Sequence, residues 1–173
     1  MEVKIPFYNL VNMLLTGIVF IGGISLFLPE LVMDIINNPI ISRTDTCTEL
    51  TKIIFIFAFA YETGLIINRI GSILIEPLLK KLKFIPFNDN YVKFNIKQKK
   101  YPIMHTLSRE YALSRTRITM FILLTIISLF SIHKLFAILL VIVTVIYFAS
   151  YRKHAKKIVD LMNESEDNNG NNE

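Results

Sequence analysis

A single cysteine, Cys47, is all that the 173-residue chain carries, which excludes an internal disulfide framework and any cysteine-based zinc cluster. Its three histidines, His105, His133 and His154, are scattered without metal-ligand spacing, so no metal site is expected. There is no glycine-rich phosphate loop, no His-Glu-x-x-His and no serine set between the glycines of a hydrolase elbow. Catalysis needs a nucleophile, an acid–base pair or metal ligands converging on one place. The only tight polar cluster is His105-Thr106-Leu107-Ser108-Arg109-Glu110. Its bland reading is the solvated face of a juxtamembrane helix. Its sharper readings are a lipid-phosphate contact through His105 and Arg109, or a lipid-handling catalyst that adds Glu110. The expectation is a protein with no enzymatic activity and no cofactor.

What the chain has is apolar length. Its apolar fraction of 53% and mean hydropathy of +0.48 exceed those of ordinary soluble domains, about 45–50% apolar on a more generous count, and the apolar residues are gathered into runs. Leu10 to Leu28 is almost wholly apolar and is stopped by Pro29-Glu30, which predicts a first transmembrane helix. A signal peptide would have a shorter apolar stretch and a small-x-small cleavage site; Leu-Pro-Glu-Leu follows here, so a retained span is expected. Gly17, Gly22 and Gly23 predict close packing on one side, and Asn12 a polar contact near the start.

The second run, Lys52 to Lys81, carries polar groups that cost the most to keep. Glu62 lies roughly 15 Å along a helix from Lys52, near the middle of a hydrocarbon layer about 30 Å thick. A charge there costs on the order of 2.5–3.5 kcal/mol, so Glu62 calls for a partner. Glu62, Arg69 and Glu76 recur at heptad spacing and, on a straight helix, share a stripe with Asn68 beside it. Ala60, Gly64, Gly71 and Ser72 flank that stripe at spacings that let another helix, or another copy of the chain, come close. The stripe is expected either as structural glue with a protonated Glu62 or as a path for ions or protons.

Charge is distributed by side. The segment from Glu30 to Lys52 is acidic, with turn signals at Asn37-Asn38-Pro39 and capping material at Thr44-Asp45 and Thr48-Glu49. From Lys80 to Arg117 the chain is strongly basic and contains Lys80, Lys81, Lys97, Lys99, Lys100, His105, Arg109, Arg115 and Arg117 as candidate contacts for anionic lipid or a partner. By the positive-inside rule this loop is cytoplasmic, and so are both termini. Within it, Asn88-Asp89-Asn90 predicts a turn, the alternation Val92, Phe94, Ile96 predicts a short strand or extended segment, and Pro102 opens a helix. Ile118–Ile132 and Leu135–Tyr151 are two further runs that together would reach about 50 Å as one helix, too long for a bilayer, so a hairpin at His133-Lys134 is expected. Residues 164–173 predict a disordered acidic tail.

The fold class expected is therefore an all-α membrane protein with four transmembrane helices in two pairs, at about 10–28, 53–75, 115–132 and 135–151. A basic cytoplasmic loop at about 77–114 joins the pairs. Its expected place is the inner membrane, its expected partners anionic headgroups, further copies of itself and a cytoplasmic protein; nucleic acid is disfavoured because no binding module is present. The expected function is that of a sensor or scaffold subunit, with a pore-forming or ion-translocating effector as the alternative. The layout is similar to membrane subunits of bacterial anti-phage systems and equally to many unrelated small membrane proteins, so it assigns no residue a role.

Overall fold

The computed structural model describes residues 7–36, 46–86, 90–131 and 134–163, and among them every regular element is helical. Helix α1 (Phe7–Phe27) is followed by α2 (Pro29–Ile36), whose first residue is a proline, a position where the missing N–H has no helical partner to lose. Helix α3 (Thr46–Ile70) runs through a π turn, Gly71–Ile75, into α4 (Glu76–Lys81). Then come α5 (Tyr91–Lys100), α6 (Ile103–Leu129) and α7 (Lys134–Asn163). Four stretches are long and apolar enough to cross a membrane: Phe7–Phe27, Glu49–Lys81, Ile103–Leu129 and Lys134–Asn163.

One expectation about the basic loop is corrected and one is met. The Val92, Phe94, Ile96 alternation lies in a helix, not a strand, because Asn90 caps it: its side-chain oxygen accepts the Lys93 amide at 2.9 Å. The helix expected to open at Pro102 runs from Ile103 to Leu129 without a break, so the residues expected in the third span continue a helix that begins in the basic region. Helix α6 closes with tightened bonds from the Phe130 and Ser131 amides, and α7 opens at Lys134. Asn37-Asn38-Pro39, Thr44-Asp45, Asn88-Asp89, His133 and the tail 164–173 lie outside the described residues.

The long helices pack as two antiparallel pairs, α1 with α3 and α6 with α7, and α6 joins the pairs by touching α1, α3 and the π turn. In the first pair the backbones meet. A Cβ on Gly17 would lie 1.7 Å from the Ala60 carbonyl oxygen, and one on Gly64 would lie 1.9 Å from that of Met13. Only glycine fits at either crossing. In the second pair Phe121 stacks on Tyr147 with ring centres 5.6 Å apart, and at the far end Phe27 of α1 closes on Phe136 of α7, between the pairs.

The exterior is inverted relative to a water-soluble bundle, while two apolar clusters, around Met120 with Leu124 and around Ile118 with Tyr151, fill part of the interior. Small and hydroxylated residues fill many contacts: Thr16, Gly17, Ala60, Gly64, Ser114, Thr116, Thr119 and Ser128 are buried. Their hydroxyls mostly return to carbonyls one turn back, as from Thr16 to Asn12 at 2.7 Å and from Thr119 to Arg115 at 3.0 Å. Large apolar side chains point outward instead, among them Phe55, Ile56, Phe59, Ile138, Val145 and Ile146.

Lys97, expected as a surface contact, is buried, and its ammonium donates to the carbonyls of Leu161 and Met162 in the last turn of α7. A lysine there answers the unpaired carbonyls and the negative end of the helix. Lys97→Met is expected to cost about 1.5–3 kcal/mol, as loss of charge-assisted bonds does. Hydrogen exchange checks it: the final turn of α7 should open in the variant, and unchanged protection there would contradict the capping role.

Candidate functional site

The charged residues of the second long helix face two different sides, because a π turn separates Glu62 and Arg69 from Glu76. Pro77 has no N–H for the carbonyl of Ile73, and its ring crowds that carbonyl in a regular helix. The turn before it widens, so that the Glu76 amide reaches back to the Gly71 carbonyl, five residues earlier. One extra residue in the turn moves everything beyond it by roughly 100° around the axis. Glu62 and Arg69 keep the heptad stripe, but Glu76 leaves it. The single stripe read from spacing is thereby corrected.

Glu76 faces α6, where its carboxylate pairs with the Arg115 guanidinium and, at 2.7 Å, with the Lys80 ammonium. Arg115 also donates to the Asn68 amide oxygen at 3.1 Å, and that oxygen accepts the Thr116 hydroxyl at 2.9 Å. Gly71 makes room: a Cβ there would come within 2.6 Å of the Thr119 hydroxyl. One turn away from Arg115 on α6, Tyr111 stacks on Tyr151 of α7 with centroids 4.4 Å apart, and Tyr151 donates its hydroxyl to that of Tyr111 at 2.6 Å. Ser114 and Ser150 approach to 3.4 Å beside them. The result is a polar junction that ties three long helices together near one end of the bundle.

Next to it lies a cavity of about 250 Å³ between α1, α3 and α6, lined by Tyr8, Asn9, Asn12, Tyr61, Asn68 and Arg109 among others. Tyr8 donates to the Glu110 carboxylate at 2.9 Å, and the Arg109 guanidinium lies over the Tyr8 ring at 4.9 Å. Arg109 Nε and Asn12 Nδ2 are buried with no hydrogen-bond partner among the described residues.

Glu62 and Arg69 point away from the rest of the chain. They border a shallow outer groove with Leu65, Ile66, Ile70, Ile73 and Leu74, and both are exposed. The expectation that a neighbouring helix covers Glu62 is corrected for the helices of this chain: Ala60 and Gly64 take the buried positions against α1, and Glu62 falls on the opposite side. Ser72, read as a packing residue, is exposed as well.

Of the basic residues, Lys80 and Arg115 belong to the junction and Arg109 to the cavity. Lys81, Lys99, Lys100 and His105 are exposed, Lys100 beside the Tyr101 ring at 5.5 Å, and Arg117 is half-buried. Sequence reasoning did not connect Arg115 with Glu76, nor Tyr111 with Tyr151, because nothing in the linear pattern says which helix faces which. Pro77 directly after Glu76 was the available signal that the stripe would not stay straight. No family model, no curated protein and no solved structure matches this chain, so its function has to be argued from this geometry.

Proposed function

We propose that the chain is a non-enzymatic, multi-pass protein of the inner membrane, a sensor or scaffold subunit that assembles with copies of itself through the outer groove of α3. Membrane insertion is supported by the inverted exterior. Without a hydrophobic drive between helices in lipid, small and hydroxylated residues make the contacts and large apolar ones face the acyl chains. The same exterior in water would be one continuous apolar patch, a condition that soluble monomers avoid.

The C-terminal end of α4, all of α5, the start of α6 and the end of α7 lie at one end of the bundle, and Lys80, Lys81, Lys99, Lys100, Arg152, Lys153, Lys156 and Lys157 gather there. That end is assigned to the cytoplasm, with both termini. Each cation near the surface adds about 1 kcal/mol of attraction to anionic lipid, and the exposed remainder is available to a protein partner.

The observation that carries self-assembly is the exposed Glu62. The contacts of Ala60 with Gly17 and of Gly64 with Met13 place it level with the middle of α1. A carboxyl group facing acyl chains at that depth costs on the order of 2.5–3.5 kcal/mol. Two molecules of one topology, related by an axis along the membrane normal, bring α3 against α3 at equal depth, so the two Glu62 carboxyls meet each other and leave the acyl chains.

Ile66 sits in the groove between Glu62 and Arg69 and is 58% exposed, which makes it the reporter. In a Cys47→Ser background, Ile66→Cys is expected to form a disulfide-linked dimer in membranes on mild oxidation. Ile142→Cys, exposed on α7, is expected to form none. No dimer at position 66, or equal dimer at both, would end the proposal. A pore lined by Glu62 and Arg69 between copies, as in an anti-phage effector, is the second reading that the same exposed charges favour; dye leakage from liposomes that disappears in Glu62→Ala would select it.

A further inference from the structure

The cavity beside Tyr8 is built for an acceptor that the described residues do not supply. Arg109 and Asn12 line it, and their donors Arg109 Nε and Asn12 Nδ2 are buried with no partner among the described residues. Leaving a buried donor unmet costs about 1–3 kcal/mol, and more when the group is charged. The nearby carboxylate, Glu110, accepts the Tyr8 hydroxyl, and the Tyr8 ring in turn holds the Arg109 guanidinium from below. Arg109 is therefore positioned and incompletely satisfied.

Size and depth narrow the occupant. About 250 Å³ would hold roughly eight waters at ~30 Å³ each, far more than two donors need, and would also hold a phosphate group with the first carbons attached to it. The cavity is formed by the first two turns of α1 (Tyr8 to Met13), the last turns of α3 (Tyr61 to Asn68) and α6 from Arg109 to Leu113. At 1.5 Å per residue it lies within about 10 Å of the end of α1, just beneath the headgroup phosphates of a bilayer matched to that helix. A planar guanidinium is the side chain best matched to phosphate oxygens.

We infer that this cavity binds the phosphate of an anionic phospholipid headgroup, with Arg109 and Asn12 as its donors. The assignment rests on the membrane placement proposed above. The test uses the full chain purified in detergent, with native mass spectrometry after addition of phosphatidylglycerol, or of inorganic phosphate at millimolar concentration. The wild type is expected to retain phosphatidylglycerol, and Arg109→Gln and Asn12→Leu to lower retention by about tenfold each, the loss that follows from one charge-assisted or buried bond. Lys134→Gln, an exposed cation at the opposite end, is expected to leave retention unchanged, and melting temperatures near that of the wild type show that the variants are folded. Equal retention in Arg109→Gln overturns the site while leaving membrane placement intact. Binding of inorganic phosphate that the same two substitutions abolish overturns the lipid source. A wild type that cannot be reconstituted into lipid nanodiscs overturns both the site and the placement.

Discussion

Replacing Gly17 or Gly64 by leucine is expected to leave no folded protein, as read by a monodisperse peak on size-exclusion chromatography in detergent. At both positions the obstacle to a side chain is backbone: the Ala60 carbonyl oxygen 1.7 Å from the Cβ of residue 17, and that of Met13 at 1.9 Å from the Cβ of residue 64. A flexible neighbour can move aside, but a helical carbonyl moves only with its helix. Relief therefore requires α1 and α3 to separate along their length. Even alanine is expected to act like core overpacking, about 1–3 kcal/mol, which in a chain of this size lowers Tm by roughly 3–10 °C. Gly22 supplies the control, since a Cβ there meets nothing within 4 Å, and Gly22→Leu should melt like the wild type. Equal melting for the leucine variants at 17 and 22 would show that the two helices do not cross as described.

Removing Glu76 is expected to destabilise the protein more than removing Arg115 does. Taking one partner from a buried ion pair costs about 3–5 kcal/mol, because the other charge is left without compensation. The pair is asymmetric. Without Arg115, Glu76 keeps Lys80 at 2.7 Å; without Glu76, Arg115 keeps, among the described residues, only the neutral Asn68 oxygen. Glu76→Leu should therefore fall at the upper end of that range and Arg115→Leu at the lower. The double substitution should be milder than the sum, since no orphan charge remains. Thermal unfolding of the three variants in one detergent checks the ranking, and strict additivity would mean that the two side chains do not interact.

Much of the architecture was legible in the residues. Runs such as Leu10 to Leu28 and Leu135 to Tyr151 announce helices by length and apolarity, and the four long apolar helices lie on them. The strand read at Val92–Ile96 failed because an alternation over five residues is too short to separate a period of two from one of 3.6, and because the decisive residue, Asn90, acts as a cap. The candidate site was legible in composition but not in arrangement. Small residues at 60, 64 and 71 sit where helices approach most closely, since close approach requires small residues whatever the partner. The partners of Glu76 and Lys97 were hidden, one behind a change of helical phase and the other behind a contact with a turn more than sixty residues away. Glu62 was singled out for its cost, and spacing alone could not decide whether it turned inward or outward.

The widened turn at Gly71–Ile75 makes the length of this segment as informative as its content. Deleting Ser72 or Leu74 would hardly alter charge or hydropathy, yet it would absorb the surplus residue and return the segment to an even spiral. The carboxylate, Lys80 and Lys81 would then swing round by something over a quarter revolution, and Arg115 would be left with the neutral Asn68 oxygen. Sequences that differ here by one residue would share a hydropathy profile and differ in wiring.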